Sequence, residues 1–224
     1  MYSQGATGNS GCKGIHKVKA AIFDLDGTLI SLSGERRFIP WLVLTLRLCP
    51  FKMVPYIYRS LKDRDFFSTK LYYRGKRVEE LDALAAKFFA PNRVKKLVFK
   101  GALEEIEKRR REGAKLILLT GSPLFIARQF SVLGFDRIIG SLIEEKDGVY
   151  TGELLDYPSG PRKREIIQRL ADEDGIDLQE SYGYGNSSAD AHFLSLLGNP
   201  VAVNPSRRLR KIAREKGWKV VRWR

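Results

Sequence analysis

Two carboxylates set two residues apart, Asp24 and Asp26, stand in the run Ala20-Ala21-Ile22-Phe23-Asp24-Leu25-Asp26-Gly27-Thr28-Leu29. Side chains alternate along an extended chain, so both carboxylates face the same side and can reach one reacting group. Like charges this close call for a counter-ion, and the hard cation suited to carboxylate oxygens is Mg²⁺. With the cation in place, one carboxylate can attack as a nucleophile while the other transfers protons. Gly27 lets the backbone turn away after them.

A second cluster follows at Thr120-Gly121-Ser122-Pro123. A hydroxyl, backbone amides and the start of a helix at a strand end form a cradle for phosphate. Further on, Pro161 opens a segment carrying Arg162, Lys163 and Arg164. A cation in the first turn of that helix would neutralise phosphoryl oxygens, and the residues alone leave the choice among the three open. Last comes Gly185-Asn186-Ser187-Ser188-Ala189-Asp190, a polar loop ahead of a helix.

Strands must carry these groups. Ala20 to Phe23 is a short, wholly apolar run of the kind buried in a parallel sheet, and Leu116 to Leu119 is a second. The sequence predicts a crossover helix over Leu124 to Leu133 and a strand over Arg137 to Gly140. A hairpin of Leu142 to Glu144 with Val149 to Thr151 follows, turning at Lys146-Asp147-Gly148. Later elements are a helix opened by Pro161, a strand before Asn186 and a strand over Pro200 to Val203. The chain then forms a basic helix over Ser206 to Lys216 and an edge strand over Trp218 to Trp223. Ligands of open α/β sheets bind beyond the carboxyl ends of the strands, where all four clusters fall.

Residues 30–113 interrupt this rhythm and read as helices, among them Val78 to Phe89 and Asn92 to Arg111. Only about forty residues separate Thr120 from the Lys163 region, too few for another large insertion, so the inserted domain follows the first carboxylates. From Ile30 to Arg77 eleven basic residues meet three acidic ones, interleaved with Trp41, Phe51, Tyr56, Tyr58, Phe66, Phe67, Tyr72 and Tyr73. That composition suits contact with an anionic membrane surface and equally suits a helical cap with solvated arginines. Its apolar runs are too short and too interrupted to span a bilayer.

The 224 residues carry a formal charge of +14, which favours anionic partners without choosing among lipid, nucleic acid and phosphorylated substrates. Two cysteines, Cys12 and Cys49, make no disulfide framework and suit a reducing compartment. His16 and His192 are too few for a histidine zinc site or a Ser-His-Asp relay. Residues 1–17 read as a polar, disordered leader without the apolar core of a signal peptide, and the expected location is cytoplasmic.

In Asp-x-Asp-x-Thr after a strand, Thr120, a lysine at a helix start and an acidic loop, in that order, the chain resembles the haloacid-dehalogenase-like hydrolase superfamily. The match runs over about residues 18–222. The resemblance implies a Rossmann-like three-layer α/β parallel-sheet core over residues 18–29 and 114–224, with a helical cap over 30–113. It implies Asp24 as the residue that becomes an aspartyl-phosphate and Asp26 as general acid, then base. Thr120, Gly121, Ser122 and Lys163 are implied as phosphate-binding groups. The implied Mg²⁺ ligands are Asp24, the Asp26 backbone carbonyl, Asn186 and Asp190. The loop usually reads Gly-Asp-x-x-x-Asp, so Asn186 stands where a carboxylate is usual.

The endings at Thr120 to Pro123 and Pro200 to Pro205 are similar to the phosphoserine-phosphatase-like branch. The basic apolar cap resembles the phosphatidylglycerophosphatase C family. The expected function is therefore Mg²⁺-dependent phosphomonoester hydrolysis on a lipid phosphate such as phosphatidylglycerophosphate, with peripheral membrane contact. The alternative substrate is a soluble metabolite such as phosphoserine or a sugar phosphate. A non-catalytic, nucleic-acid-binding protein on the same scaffold is the rival class, in which metal-free carboxylates would repel phosphates.

Overall fold

The computed structural model describes residues 17–45 and 70–224. The proposed leader through His16, with Cys12, and the stretch 46–69, with Cys49 and most of the interleaved aromatic residues, lie outside the described residues. Seven strands form one sheet in the order β4-β3-β2-β1-β5-β6-β7. They are β1 (Ala20–Phe23), β2 (Lys115–Pro123), β3 (Arg137–Lys146), β4 (Val149–Asp156), β5 (Tyr182–Gly185), β6 (Asn199–Val203) and β7 (Lys219–Val221). All neighbours are parallel except β3 and β4.

β1 is central because both of its faces are apolar and both are covered. Ala21 and Phe23 pack with Leu116 and Leu118 in one core cluster, while Ala20 and Ile22 pack with Ile117 and Leu119 in another. The first cluster is closed by helices α1 (Gly34–Thr45), α2 (Val78–Phe88), α3 (Pro91–Leu97), α4 (Lys100–Arg111) and the short α5 (Leu124–Ala127). The second is closed by α6 (Pro161–Asp174), α7 (Ala191–Leu194) and α8 (Arg207–Glu215). This makes the three-layer α/β core expected from the sequence. The chain passes from β1 to β2 on one side, and β5 pairs with β1 on the other, so the strand order reverses at the carboxyl end of β1.

Three element assignments differ from the sequence expectation. The helix read over Asn92 to Arg111 is two helices, because Val98 is extended and bridges Ile30 while the Phe99 amide donates to the Leu29 carbonyl. That bridge brings Val98 back to Ile30, itself bridged to Asp26, and α4 beyond it buries Ala102 and Ile106 against the sheet. The strand at Arg137 and the first hairpin arm are one strand, β3, whose first half pairs with β2 and second half with β4. Gly140 sits at the changeover, where a Cβ would lie 2.7 Å from the Ser122 carbonyl oxygen, so it serves close approach and not a turn. The crossover after Pro123 is one α-turn run continued as 3₁₀ helix through Leu133 and closed by Gly134 at φ 75°.

Residues 70–78 run beside β4. Lys70 donates its amide to the Gly152 carbonyl, Tyr150 exchanges backbone bonds with Lys76 and Gly75, and Arg77 bridges Val149. Gly152, at φ 88°, leaves room for Leu71, whose Cα would stand 2.9 Å from an added Cβ. Among the described residues, no helix is long and apolar enough to cross a membrane.

Candidate active site

The site is assembled at the carboxyl end of β1. The Asp24 amide donates to the Tyr184 carbonyl of β5, which extends the ladder one residue beyond the strand. The chain then closes on itself, with the Leu25 carbonyl accepting from the amides of Leu29 and Ile30. Gly27 makes this turn at φ 85°, and a Cβ there would fall 2.0 Å from the Asn186 amide nitrogen. The tight turn places Thr28 back over Asp24.

Asp24 is buried, and each of its oxygens has a donor. Lys163 Nζ donates to Oδ1 at 2.7 Å and Thr28 Oγ1 donates to Oδ2 at 2.9 Å. Lys163 also donates to Asp190 Oδ1 at 2.7 Å, so one ammonium ties two carboxylates. It lies in the first turn of α6, behind Gly160 and Pro161. Its neighbours point elsewhere: Arg162 pairs with Asp156 and Glu165, and Arg164 is exposed. Of the three cations left open by the sequence, only Lys163 enters the site.

The Asp190 Oδ2 atom accepts from the amides of Asn186 and Ser187 and from Ser187 Oγ at 2.8–3.1 Å. The carboxylate thereby holds both the loop and Lys163. Asn186 Oδ1 lies 3.5 Å from Thr28 Oγ1, on the Asp24 side of the loop. Asp26 is fastened at both oxygens, to the Gly34 amide at 2.8 Å and to Ser122 Oγ at 2.6 Å. Thr120 is fully buried, and its Oγ1 accepts from the Ser122 amide at 3.1 Å. The Gly121 carbonyl accepts from Ser141 Oγ at 2.6 Å.

These groups share one cleft of about 460 Å³. Asp24, Asp26, Thr120, Gly121, Ser122, Lys163, Asn186 and Asp190 all line it, with Tyr157 to Ser159 on one rim and Ser31 to Ser33, Glu35 and Arg36 on the other. His192 is exposed on α7 and is not among the lining residues, and His16 lies outside the described residues.

Burial dominates the electrostatics. It pushes the Asp24 carboxyl up to about 7, against the pull of Lys163 and with the help of Asp190 and Asp26. Asp26 is likewise raised by burial, which outweighs its bonds from Ser122 and Gly34. For Asp190 burial acts upward but loses to the Lys163 ammonium and the Ser187 donors, so that carboxyl is lowered. The Lys163 ammonium is raised, because Asp190 and Asp24 outweigh its own burial.

Two carboxylates on one ammonium, with Asp26 in the same cleft, leave an excess of negative charge and hard oxygen donors, chemistry that suits Mg²⁺. Among the described residues no group of three or more His, Cys, Asp or Glu could hold a metal ion. An ion there would need donors besides the carboxylates, and the Asn186 amide oxygen is among the polar atoms at the cleft.

One pair escaped the sequence reading. Glu35, in the first turn of α1, is buried on the cleft wall, accepts from Lys70 Nζ at 2.7 Å, and takes a further hydrogen bond from the Tyr72 hydroxyl. Its only signal is that it is the sole acid between Asp26 and Asp63 in a strongly basic stretch.

A family model described as haloacid dehalogenase-like hydrolase matches residues 21–195. The chain is 28% identical over 215 residues to phosphoserine phosphatase SerB1 of Mycobacterium tuberculosis, covering 90% of this chain and 70% of that protein. It is 31% identical over 150 residues to the inhibition of morphological differentiation protein of Streptomyces azureus, covering 66% of this chain and 54% of the relative. The fold is similar to the crystal structure of a protein of unknown function from Bordetella pertussis Tohama I. There the TM-score is 0.79 at 24% identity, with 92% of this chain and 98% of that one covered.

Proposed function

The chain belongs to the haloacid dehalogenase-like hydrolase family, and from that premise we propose that it is a phosphomonoester phosphatase working through an aspartyl-phosphate on Asp24. The observation that carries this reading is that Asp24, Asp26, Thr120, Lys163, Asn186 and Asp190 line a single cleft at the strand-order reversal.

In the first half-reaction an Asp24 oxygen forms a bond to phosphorus in line with the leaving group. The ester P–O bond breaks, its electron pair stays on the alcohol oxygen, and that oxygen takes the proton of Asp26. In the second, Asp26 takes a proton from water as the water oxygen bonds to phosphorus. The bond from phosphorus to Asp24 then breaks, releasing phosphate and the free carboxylate. Lys163 and Thr120 hold the phosphoryl oxygens, and Asp190 keeps Lys163 aimed at Asp24. Mg²⁺ would be held by Asp24, the Asp26 carbonyl and Asn186, with Asp190 behind them, and when bound it neutralises phosphoryl charge. The cap would come from the inserted residues 30–113, of which α4 packs on the sheet while Ser31 to Ser33, Glu35 and Arg36 line the side of the cleft that would take the leaving group.

The substrate is a phosphorylated small molecule. The name of the mycobacterial relative favours a soluble ester such as phosphoserine. The basic, aromatic composition of residues 30–77 favours a lipid phosphate at an anionic membrane face. Turnover of soluble and lipid phosphomonoesters, with and without Mg²⁺, separates the two, and liposome sedimentation tests the membrane contact. Asp24→Asn is expected to abolish turnover of 4-nitrophenyl phosphate; substantial residual activity would remove Asp24 from the nucleophile role. Salt-dependent RNA or DNA binding by a chain without phosphatase turnover would favour the non-catalytic class.

A further inference from the structure

Asp26 is held from two sides of the cleft. Oδ1 accepts from the backbone amide of Gly34, the first residue of α1 in the inserted segment, and Oδ2 accepts from Ser122 Oγ at the end of β2. A terminal carboxylate torsion is soft, so one hydrogen bond leaves the second oxygen free to swing, while two bonds from fixed donors define its plane. The Ser122 donor is fixed. The residue is 2% exposed and its amide is tied to Thr120 Oγ1. The flanking strand is pinned by the Ser141 hydroxyl on the Gly121 carbonyl. β3 packs so closely that a Cβ at Gly140 would meet the Ser122 carbonyl.

We infer that Ser122 is a positioning residue for proton transfer by Asp26, not a ligand of the phosphoryl group. The inference rests on the phosphatase reading above. The Ser122 hydroxyl sets the Asp26 carboxyl so that its proton meets the leaving oxygen as the P–O bond breaks and the electron pair passes to that oxygen. A phosphate-binding hydroxyl would serve every ester alike. A hydroxyl that aims the acid matters only where the leaving group needs a proton.

The test is a series of aryl phosphates, from 4-nitrophenyl phosphate, whose phenolate leaves readily, to phenyl phosphate, a poorer leaving group. It is run on the full chain with Mg²⁺. Ser122→Ala is expected to lower kcat/KM about tenfold or more on phenyl phosphate and less than about threefold on 4-nitrophenyl phosphate, within the range of general acid catalysis. The variant stays folded, its melting temperature lowered only by the loss of this one buried hydrogen bond, and Ser122→Thr restores the phenyl phosphate activity. Asp26→Asn, as the reference for loss of the acid, shows the same dependence on leaving group. A uniform loss across the series in Ser122→Ala, or no loss, would overturn the inference while leaving the phosphatase reading intact. A wild type that hydrolyses no member of the series would refute the phosphatase reading and this inference with it.

Discussion

The Asp24 carboxylate and the Lys163 ammonium lie 2.7 Å apart across 139 positions of chain. The contact joins the end of β1 to the first turn of α6, on the far side of the inserted segment, β2, β3 and β4. Both groups are buried, and the same ammonium serves Asp190, so one side chain balances both carboxylates.

Lys163→Met would leave two buried carboxylates without their cation. Removing one partner of a buried pair costs about 3–5 kcal/mol, well above the typical effect of a surface change. Urea unfolding should show a loss of that order, together with loss of phosphatase turnover. Arg164→Met, one position along on the exposed face of α6, should stay within about 0.5 kcal/mol and keep its activity. Equal effects from both substitutions would mean that α6 does not deliver Lys163 to the site.

Asp24 makes the metal-free protein sensitive to pH in a defined direction. Burial raises its carboxyl from 3.8 to about 7, so the folded state binds this proton more tightly than the unfolded chain does. Between those limits the folded protein carries more protons, and the Asp24 contribution to stability falls as pH rises. Asp190 has the opposite sign: its carboxyl is lowered, so its contribution is lost as pH falls. In chelator, the urea midpoint of Asp24→Asn relative to wild type should therefore climb as pH increases from about 4 to 7. A difference that stays flat over this range would contradict the burial of an ionised Asp24.

The sheet centre and the two carboxylates were legible in the sequence because local rules produce them. Four apolar residues facing two cores make β1, and a two-residue spacing then puts Asp24 and Asp26 on one side. Choosing Lys163 from three adjacent cations needed to know which face of α6 packs on the sheet, which only the tertiary arrangement decides. Gly140 read only as the end of a strand, because its close approach to the Ser122 carbonyl depends on how β3 packs against β2, which no local pattern records. Glu35 counted only as one of three acids in a basic stretch, since its partner Lys70 lies 35 positions away and nothing local marks the pairing.

The Glu35–Lys70 pair should respond asymmetrically to substitution. Lys70 is fully buried and Glu35 nearly so, which makes the lone charge costly and the pair itself worth little against an apolar replacement. Lys70→Met alone should destabilise by about 3–5 kcal/mol in urea unfolding. Adding Glu35→Leu to it should recover much of that loss, a coupling that a double-mutant cycle reads directly. If the two changes simply add, the charges are not facing one another in solution.

Asn186 is where a neutral donor stands among charged ones, and its substitution should have opposite effects with and without metal. Its side-chain amide lies over Gly27, close enough that a Cβ there would meet Nδ2 at 2.0 Å, while Oδ1 faces Thr28 beside Asp24. Asn186→Asp changes little in shape but adds a fourth carboxylate to Asp24, Asp26 and Asp190, with Lys163 the one ammonium among the described residues paired with Asp24 and Asp190. In chelator that repulsion should lower the melting temperature below that of the wild type. With Mg²⁺ the added charge should tighten binding about tenfold, equivalent to ~1.4 kcal/mol, so the order of stability reverses as the cation is titrated in. Thermal unfolding across a Mg²⁺ series measures both arms without relying on turnover. An unchanged Mg²⁺ midpoint would mean that position 186 is not a ligand, and that the amide serves only to pack against the turn at Gly27.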